Sequence, residues 1–294
     1  MLTNAAFCSE VLIDELTCIN IKHPRFNALL CLQGAQLTQF TSNKLGELLW
    51  LSPEAQFKQG QSVRGGIPIC WPWFGGVAFN PLEVKKNLPK SGGAHGFARN
   101  QNWQLSYLDE SAHEVSLGLT LTHNKQTLAI WPFEFELTCH FTFSHHISIE
   151  LECKNLSSQE MHFSQALHTY LPTKDINKTI IQGAHNSVYV DALDAWQHKS
   201  QLGSIKIQEE VDRIYLGPKL YRVINKDKEI TIASNSHSSI VWNPWINKSQ
   251  RLSHFPDSGY KTMLCIESAN VLSDFVCVPM GETSQALTLE IKSG

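Results

Sequence analysis

The chain has 294 residues, 42% of them hydrophobic, enough to bury a sizeable core in one large domain or two smaller ones. Its 24 Lys+Arg against 27 Asp+Glu leave a formal net charge of −3, which excludes a general nucleic-acid or acidic-membrane binder. A negatively charged ligand would have to be held by a few local arginines rather than by the field of the whole chain.

The first residues, "MLTNAAFCSEVLIDE", lack a basic stretch and carry acidic residues early, so no signal peptide is expected. No apolar run reaches the roughly 18 to 20 residues of a membrane helix. The eight cysteines show no CxxC or other zinc-like spacing. Several, such as Cys139 and Cys153, occupy alternating apolar positions where a reduced thiol serves as a small hydrophobe. A soluble cytoplasmic protein without disulfides, metal or membrane contact is the expectation.

In chain order, "EVLIDELTCINIKH" (10–23) and "NALLCLQGAQLTQF" (27–40) read as strands, and "SPEAQFKQ" (52–59) as a short helical turn. "VRGGIPICWPWFGG" (63–76) sets Arg64 and two glycines before a proline-stiffened aromatic run. It is either the mouth of a ligand site or a buried loop that begins with a charge. "SGGAHGFARN" (91–100) places His95 and Arg99 around Gly96, in a glycine-rich loop where a backbone can come close to a ligand, or in an ordinary surface loop.

Three segments then alternate cleanly: Val115, Leu117, Leu119 and Leu121; Phe133 through Phe143; and Ile147, Ile149, Leu151 and Cys153. A period of two with short polar turns describes an antiparallel meander. "QALHTYL" (165–171) carries His168, which is either functional or a satisfied structural histidine. In "EEVDRIY" (209–215), Asp212 and Arg213 could be a solvated pair on a strand edge. Further strands are expected in "EITIASNS" (229–236), "SSIVWNPW" (238–245), "KTMLCIESAN" (261–270) and "SQALTLEIKSG" (284–294), with a second helical turn near "INKSQRLSHF" (246–255). Glu267 lies in a mostly apolar strand, so it either faces water at an edge or lines a pocket where burial tunes its pKa. With no linker, repeat or long helical stripe, residues 1–294 are expected to form one large, all-β, antiparallel β-sandwich domain.

Taken in order, "RGGIPICWPWFG", "HGFAR", "LHTYL", "VDRIY", "VWNPW" and "CIESAN" resemble the D-hexose-6-phosphate mutarotases. These are glucose-6-phosphate 1-epimerases within the aldose 1-epimerase group. The similarity runs from about residue 25 to the closing "VPMGETSQALTLEI". It implies a galactose mutarotase-like supersandwich that interconverts the α and β anomers of a hexose 6-phosphate. It further implies catalytic roles for His168 and Glu267, and substrate or phosphate contacts for Arg64, Arg99, His95 and Asp212. Trp71 is expected to line the cleft, with at least one of Trp71, Trp73 and Phe74 doing so. One position departs from the pattern: Ala94 stands where relatives commonly carry a substrate-contacting glutamine, so that hydrogen bond is either missing or made by Lys90 or Ser91.

Ring opening needs a base for the anomeric hydroxyl and an acid for the ring oxygen. Glu267, ionised at rest, suits the base, and His168, readily made cationic, the acid. No cofactor is required and a monomer is expected. Two other readings stay open: a mutarotase for unphosphorylated aldoses, and a non-catalytic phosphosugar-binding protein on the same fold.

Overall fold

Alternating apolar side chains pair into antiparallel ladders throughout the computed structural model, which describes residues 5–90, 92–226 and 228–293. One large sheet holds, in spatial order, Ile180–Gln182, Leu220–Asn225, Lys228–Ala233, Leu287–Ser293, Ile147–Asn155, Phe135–Phe143, Val115–Thr122 and Gln104–Glu110. Its last four strands contain the expected meander, with Leu117 opposite Phe141 and Phe141 opposite Ile149.

A second large sheet runs Gln197–Ser200, Val188–Asp191, Val211–Leu216, Ser238–Asn243, Met263–Asn270, Gln165–Leu167 and Ile69–Cys70, with Tyr170–Pro172 also paired to Met263–Asn270. Inner-facing Val241, Leu264 and Ile266 share a continuous core with Leu117, Phe141, Ile149 and Leu289 of the first sheet. Tyr221 and Ser239 join the two layers through a 2.7 Å hydroxyl hydrogen bond. This is a β-sandwich, as the alternation required. A third sheet, from Cys8–Ile13 to Gly46–Glu47, adds Ile19, Phe26 and Phe40 to the same core.

The local differences have identifiable causes. Residues 10–23 and 27–40 each break into two strands rather than one. The first turns at Asp14 (φ 48°), the second at Gly34 and Ala35 (φ 76° and 45°). Residues 52–59 form turns without a helix, whereas the turn expected at 246–255 begins slightly earlier, as the helix Trp245–Ser249. A further short helix, Lys125–Ile130, is set by a capping box: Asn124 accepts from the amides of Gln126 and Thr127, and Thr127 caps back. Among the described residues no helix is long and apolar enough to cross a membrane. All eight cysteines are free thiols.

Candidate active site

The second sheet is apolar on both faces, and its outer face is the floor of a cleft. Along Met263–Asn270, Leu264 and Ile266 point into the sandwich, while Cys265 and Ala269 pack in an outer cluster on the side that carries Glu267. The same alternation sets Ala166 and Tyr170 outward and Leu167 and Leu171 inward, so His168 also faces out. The register is unbroken around it, with Leu167 opposite Ser268 and Tyr170 opposite Cys265, which puts His168 across from Glu267. Ile240 flanks Glu267 on the other side. His168 Nε2 lies 3.4 Å from Glu267 Oε1.

Asp212 enters the cleft from the strand Val211–Leu216, opposite Trp242, while Arg213 points to the other face and stacks on Tyr189, 4.9 Å from its ring centroid. The two are therefore not a pair on an edge. Lys248, from the Trp245–Ser249 helix, bridges Asp212 at 3.7 Å and Glu210 at 3.2 Å and lies over the Trp242 ring.

The arginines come from loops whose backbone is packed tightly. Gly66, at φ 63°, leaves room for a neighbouring strand: a Cβ there would sit 2.1 Å from the Leu37 carbonyl oxygen. Arg64, just before it, donates to the Tyr170 hydroxyl and the Ser253 carbonyl, each at 3.4 Å. Tyr170 in turn stacks on His168, with ring centroids 4.8 Å apart and planes 11° from parallel. Arg99 Nη2 donates to the Ala94 carbonyl at 2.8 Å, and its Nε has no hydrogen-bond partner among the described residues. His95 Nδ1 accepts from the Gly75 amide at 3.2 Å, and its ring meets that of His168 edge-on at 5.7 Å.

Two cavities meet at Arg64, His95, His168 and Tyr170. One, of about 430 Å³, is mostly apolar and holds Glu267, Asp212 and Lys248 with Phe74, Trp242 and Trp196. The other, of about 360 Å³, is polar and adds Arg99, Asn100, Gln61 and His254. The site thus joins an acid–base compartment to a cationic one.

Burial governs the charges. It pushes the Glu267 carboxyl, 1% exposed, well above the usual carboxylate range, and the Asp212 carboxylate pushes it further. Burial also drives His168 well down, helped by His95, Arg99 and Arg64. His95 falls to about 3 through burial and the same two arginines. Asp212 is raised by burial, with Lys248 opposing. Both shifts favour the neutral carboxyl and the neutral imidazole over the charged pair, the opposite direction from the ionised carboxylate expected from sequence. A proton shared by the pair can pass between carboxyl and imidazole across their 3.4 Å contact. Glu267 Oε2 and His168 Nδ1 make no hydrogen bond among the described residues, leaving both groups capacity for a ligand.

The structure brings together Arg64, His95, Arg99, His168, Asp212 and Glu267. It corrects Trp71, which is fully buried and packs against Phe97, Trp131, Phe135 and Phe163 instead of lining the cleft. Phe74, three residues on, takes the cleft position, and Trp73 is also buried. Ala94 lines the larger cavity, Lys90 lines neither, and Ser91 lies outside the described residues. Sequence reasoning missed Tyr170 and Lys248. Tyr170 was signalled by its period-two spacing from His168, whereas nothing local marked Lys248.

The aldose 1-epimerase family model matches residues 17–289. A relative from Escherichia coli (strain K12), named "Putative glucose-6-phosphate 1-epimerase", is 37% identical over 261 residues, covering 87% of this chain and 84% of its own. A relative of the same name from Salmonella typhimurium is 34% identical over 260 residues, with 87% and 84% covered. Among solved structures, a "putative mutarotase (YeaD)" from Salmonella typhimurium superposes with a TM-score of 0.90 at 29% identity, over 99% of this chain and 95% of that one. A galactose mutarotase-like protein from Clostridium acetobutylicum shares the fold, with a TM-score of 0.78 at 14% identity and 98% of each chain covered. With the match of the family model over nearly its whole length and these relatives, the chain belongs to the aldose 1-epimerase family.

Proposed function

We propose that this chain is an isomerase that interconverts the α and β anomers of a hexose 6-phosphate, glucose 6-phosphate foremost. The observation that carries the reading is the junction of the two cavities at His168. An acid–base pair lies in one cavity, and the Arg64 and Arg99 guanidinium groups line the other. The names of the relatives support the same substrate.

In this reading the Glu267 carboxylate takes the proton of the anomeric hydroxyl while the His168 imidazolium protonates the ring oxygen. The C1–O5 bond breaks to give the open-chain aldehyde, Glu267 is left neutral and His168 is left neutral. That is the protonation state burial favours, so the pair is matched to the open-chain intermediate. Rotation about C1–C2 presents the other carbonyl face. On closure His168 recovers the O5 proton and Glu267 returns one to the new anomeric oxygen, which resets the enzyme. Arg64 and Arg99 hold the phosphate by charge-assisted hydrogen bonds, away from the reacting carbon, and so orient the ring. Asp212 binds a sugar hydroxyl. His95 and Phe74 bound the sugar where the cavities join.

We take residues 1–294 to act as one catalytic domain and the active enzyme to be a monomer. Eight free thiols suit a reducing cytoplasm. NMR measurement of anomer exchange of glucose 6-phosphate tests the function directly. Exchange is expected to accelerate with wild type, and Arg99→Ala should lose much of that gain on glucose 6-phosphate while changing little on glucose. Equal rates on both sugars, unaffected by Arg99→Ala, would point to unphosphorylated aldoses. Binding without exchange would point to a phosphosugar-binding protein.

A further inference from the structure

Away from the cleft, donors of three different chemistries converge on the ribbon formed by the strands Met161–Phe163 and Val276–Val278. His162 and Cys277 are direct partners in its register, so their side chains leave the same face. Glu160, immediately before the first strand, brings Oε1 to 3.1 Å from His162 Nε2. One donor atom from each of the three residues lies within 4.8 Å of the other two. A tetrahedral zinc ion, with bonds of about 2.0 Å to nitrogen or oxygen and about 2.3 Å to sulfur, has ligands roughly 3.3 to 3.6 Å apart. The His162–Glu160 edge already nearly meets that, and modest side-chain rotations close the rest.

We propose that Glu160, His162 and Cys277 form a zinc-binding site, with water as the fourth ligand. Imidazole, thiolate and carboxylate together suit a borderline-soft ion and disfavour magnesium or calcium, which take oxygen shells. The His162 side chain is 10% exposed and its ring is set against Phe275 at 5.7 Å, so one of the three donors is already held in place. Cys277 is exposed, while the other seven cysteines are buried, so it is the thiol a metal ion can reach. Glu160 and the thiolate formed on binding offset the ion's charge, and Lys86, which faces Cys277, limits the affinity. Without metal, Glu160 hydrogen-bonds both His162 and the Cys277 thiol, and partial desolvation together with that bond favours the protonated thiol. A thiolate signal on metal addition therefore distinguishes a metal site from a plain hydrogen-bonded cluster. Bound metal would tie together two strands that lie more than a hundred residues apart in the chain.

The test is titration of the purified full chain with Zn²⁺ by calorimetry and with Cd²⁺ by ultraviolet absorption, where a thiolate ligand adds a charge-transfer band. One ion per chain and a band on Cd²⁺ addition are expected. Cys277→Ser should abolish the band, and His162→Gln and Glu160→Gln should each weaken Zn²⁺ binding at least roughly tenfold. Cys277 is exposed, so Cys277→Ser should keep its unfolding temperature without metal, and Zn²⁺ should raise that temperature in wild type but not in the variant. No stoichiometric binding at micromolar Zn²⁺, or binding at wild-type strength in Cys277→Ser or His162→Gln, would overturn the site.

Discussion

Burial moves Glu267 up and His168 down, so pH acts on the pair rather than on either group alone. In the proposed mechanism, catalysis needs one proton on the pair. Activity therefore falls at low pH when His168 gains a second proton, below the usual histidine value, and at high pH when the last proton leaves, above the usual carboxylate value. The Asp212 carboxylate raises Glu267, so Asp212→Asn should move the alkaline limb to lower pH, apart from any change in rate. An unmoved limb in the kcat–pH profile would contradict that coupling. Glu267→Gln should lower exchange by about 10²- to 10⁴-fold, the range for a positioned acid–base group, with glucose 6-phosphate still bound.

His95 tests the same physics on stability. Its folded pKa is lowered to about 3, so the unfolded chain takes up a proton first as pH falls. Its share of stability is whole above pH ~6.5 and is lost between there and about 3. In His95→Asn the urea midpoint should drop less between pH 7 and pH 4.5 than in wild type. These shifts could not be read from sequence, where a histidine beside glycine and an arginine four residues on looks like a loop tip. The depression of His95 comes from its burial, from Arg99 and from Arg64, the last being 31 residues away in the chain but facing the same cleft.

At the scale of elements, the segment 63–76 shows what an apolar run conceals. Its aromatic run says that Trp71, Trp73 or Phe74 lines the cleft, but a loop has no ladder to say which of them faces the ligand. Trp71 went to the core and Phe74 to the cleft. Trp71→Phe should lower stability by about 1–3 kcal/mol, by loss of buried contacts, and leave KM nearly unchanged. Phe74→Ala should do the reverse, raising KM for the sugar phosphate at little cost in unfolding temperature. Gly96 carries another constraint: at φ 66°, a Cβ would sit 2.0 Å from the Trp71 carbonyl oxygen. Gly96→Ala should destabilise by at least about 3 kcal/mol in urea unfolding, through strain and a clash with backbone that cannot yield. The strands were far more legible than this loop. In 113–123, 132–144 and 146–155 one face is apolar at every second residue, and a one-residue slip would expose all of it. The hairpin turns at Asp14 and Gly34 were less so, because apolar residues continue on both sides of each.

For the whole molecule, a net charge of −3 gives no long-range attraction for a phosphate dianion, so the proposed function leaves its capture to Arg64 and Arg99, which line one cavity. Raising ionic strength from about 0.02 M to 0.5 M should raise KM for glucose 6-phosphate, leave kcat nearly constant and scarcely affect glucose. A KM that stays flat for both sugars would place the phosphate away from the arginines. A period of two sufficed to determine a β-sandwich, and the motif residues named six members of the cleft, though not Tyr170 or Lys248. Tertiary structure alone decided that His168 stands across from Glu267, that Lys248 reaches Asp212, and that His162 meets Cys277. The reason is physical. Alternation assigns side chains to a common face within one strand, a local property of the backbone. Which strands become neighbours, and in what register, is set by packing two whole sheets around one core.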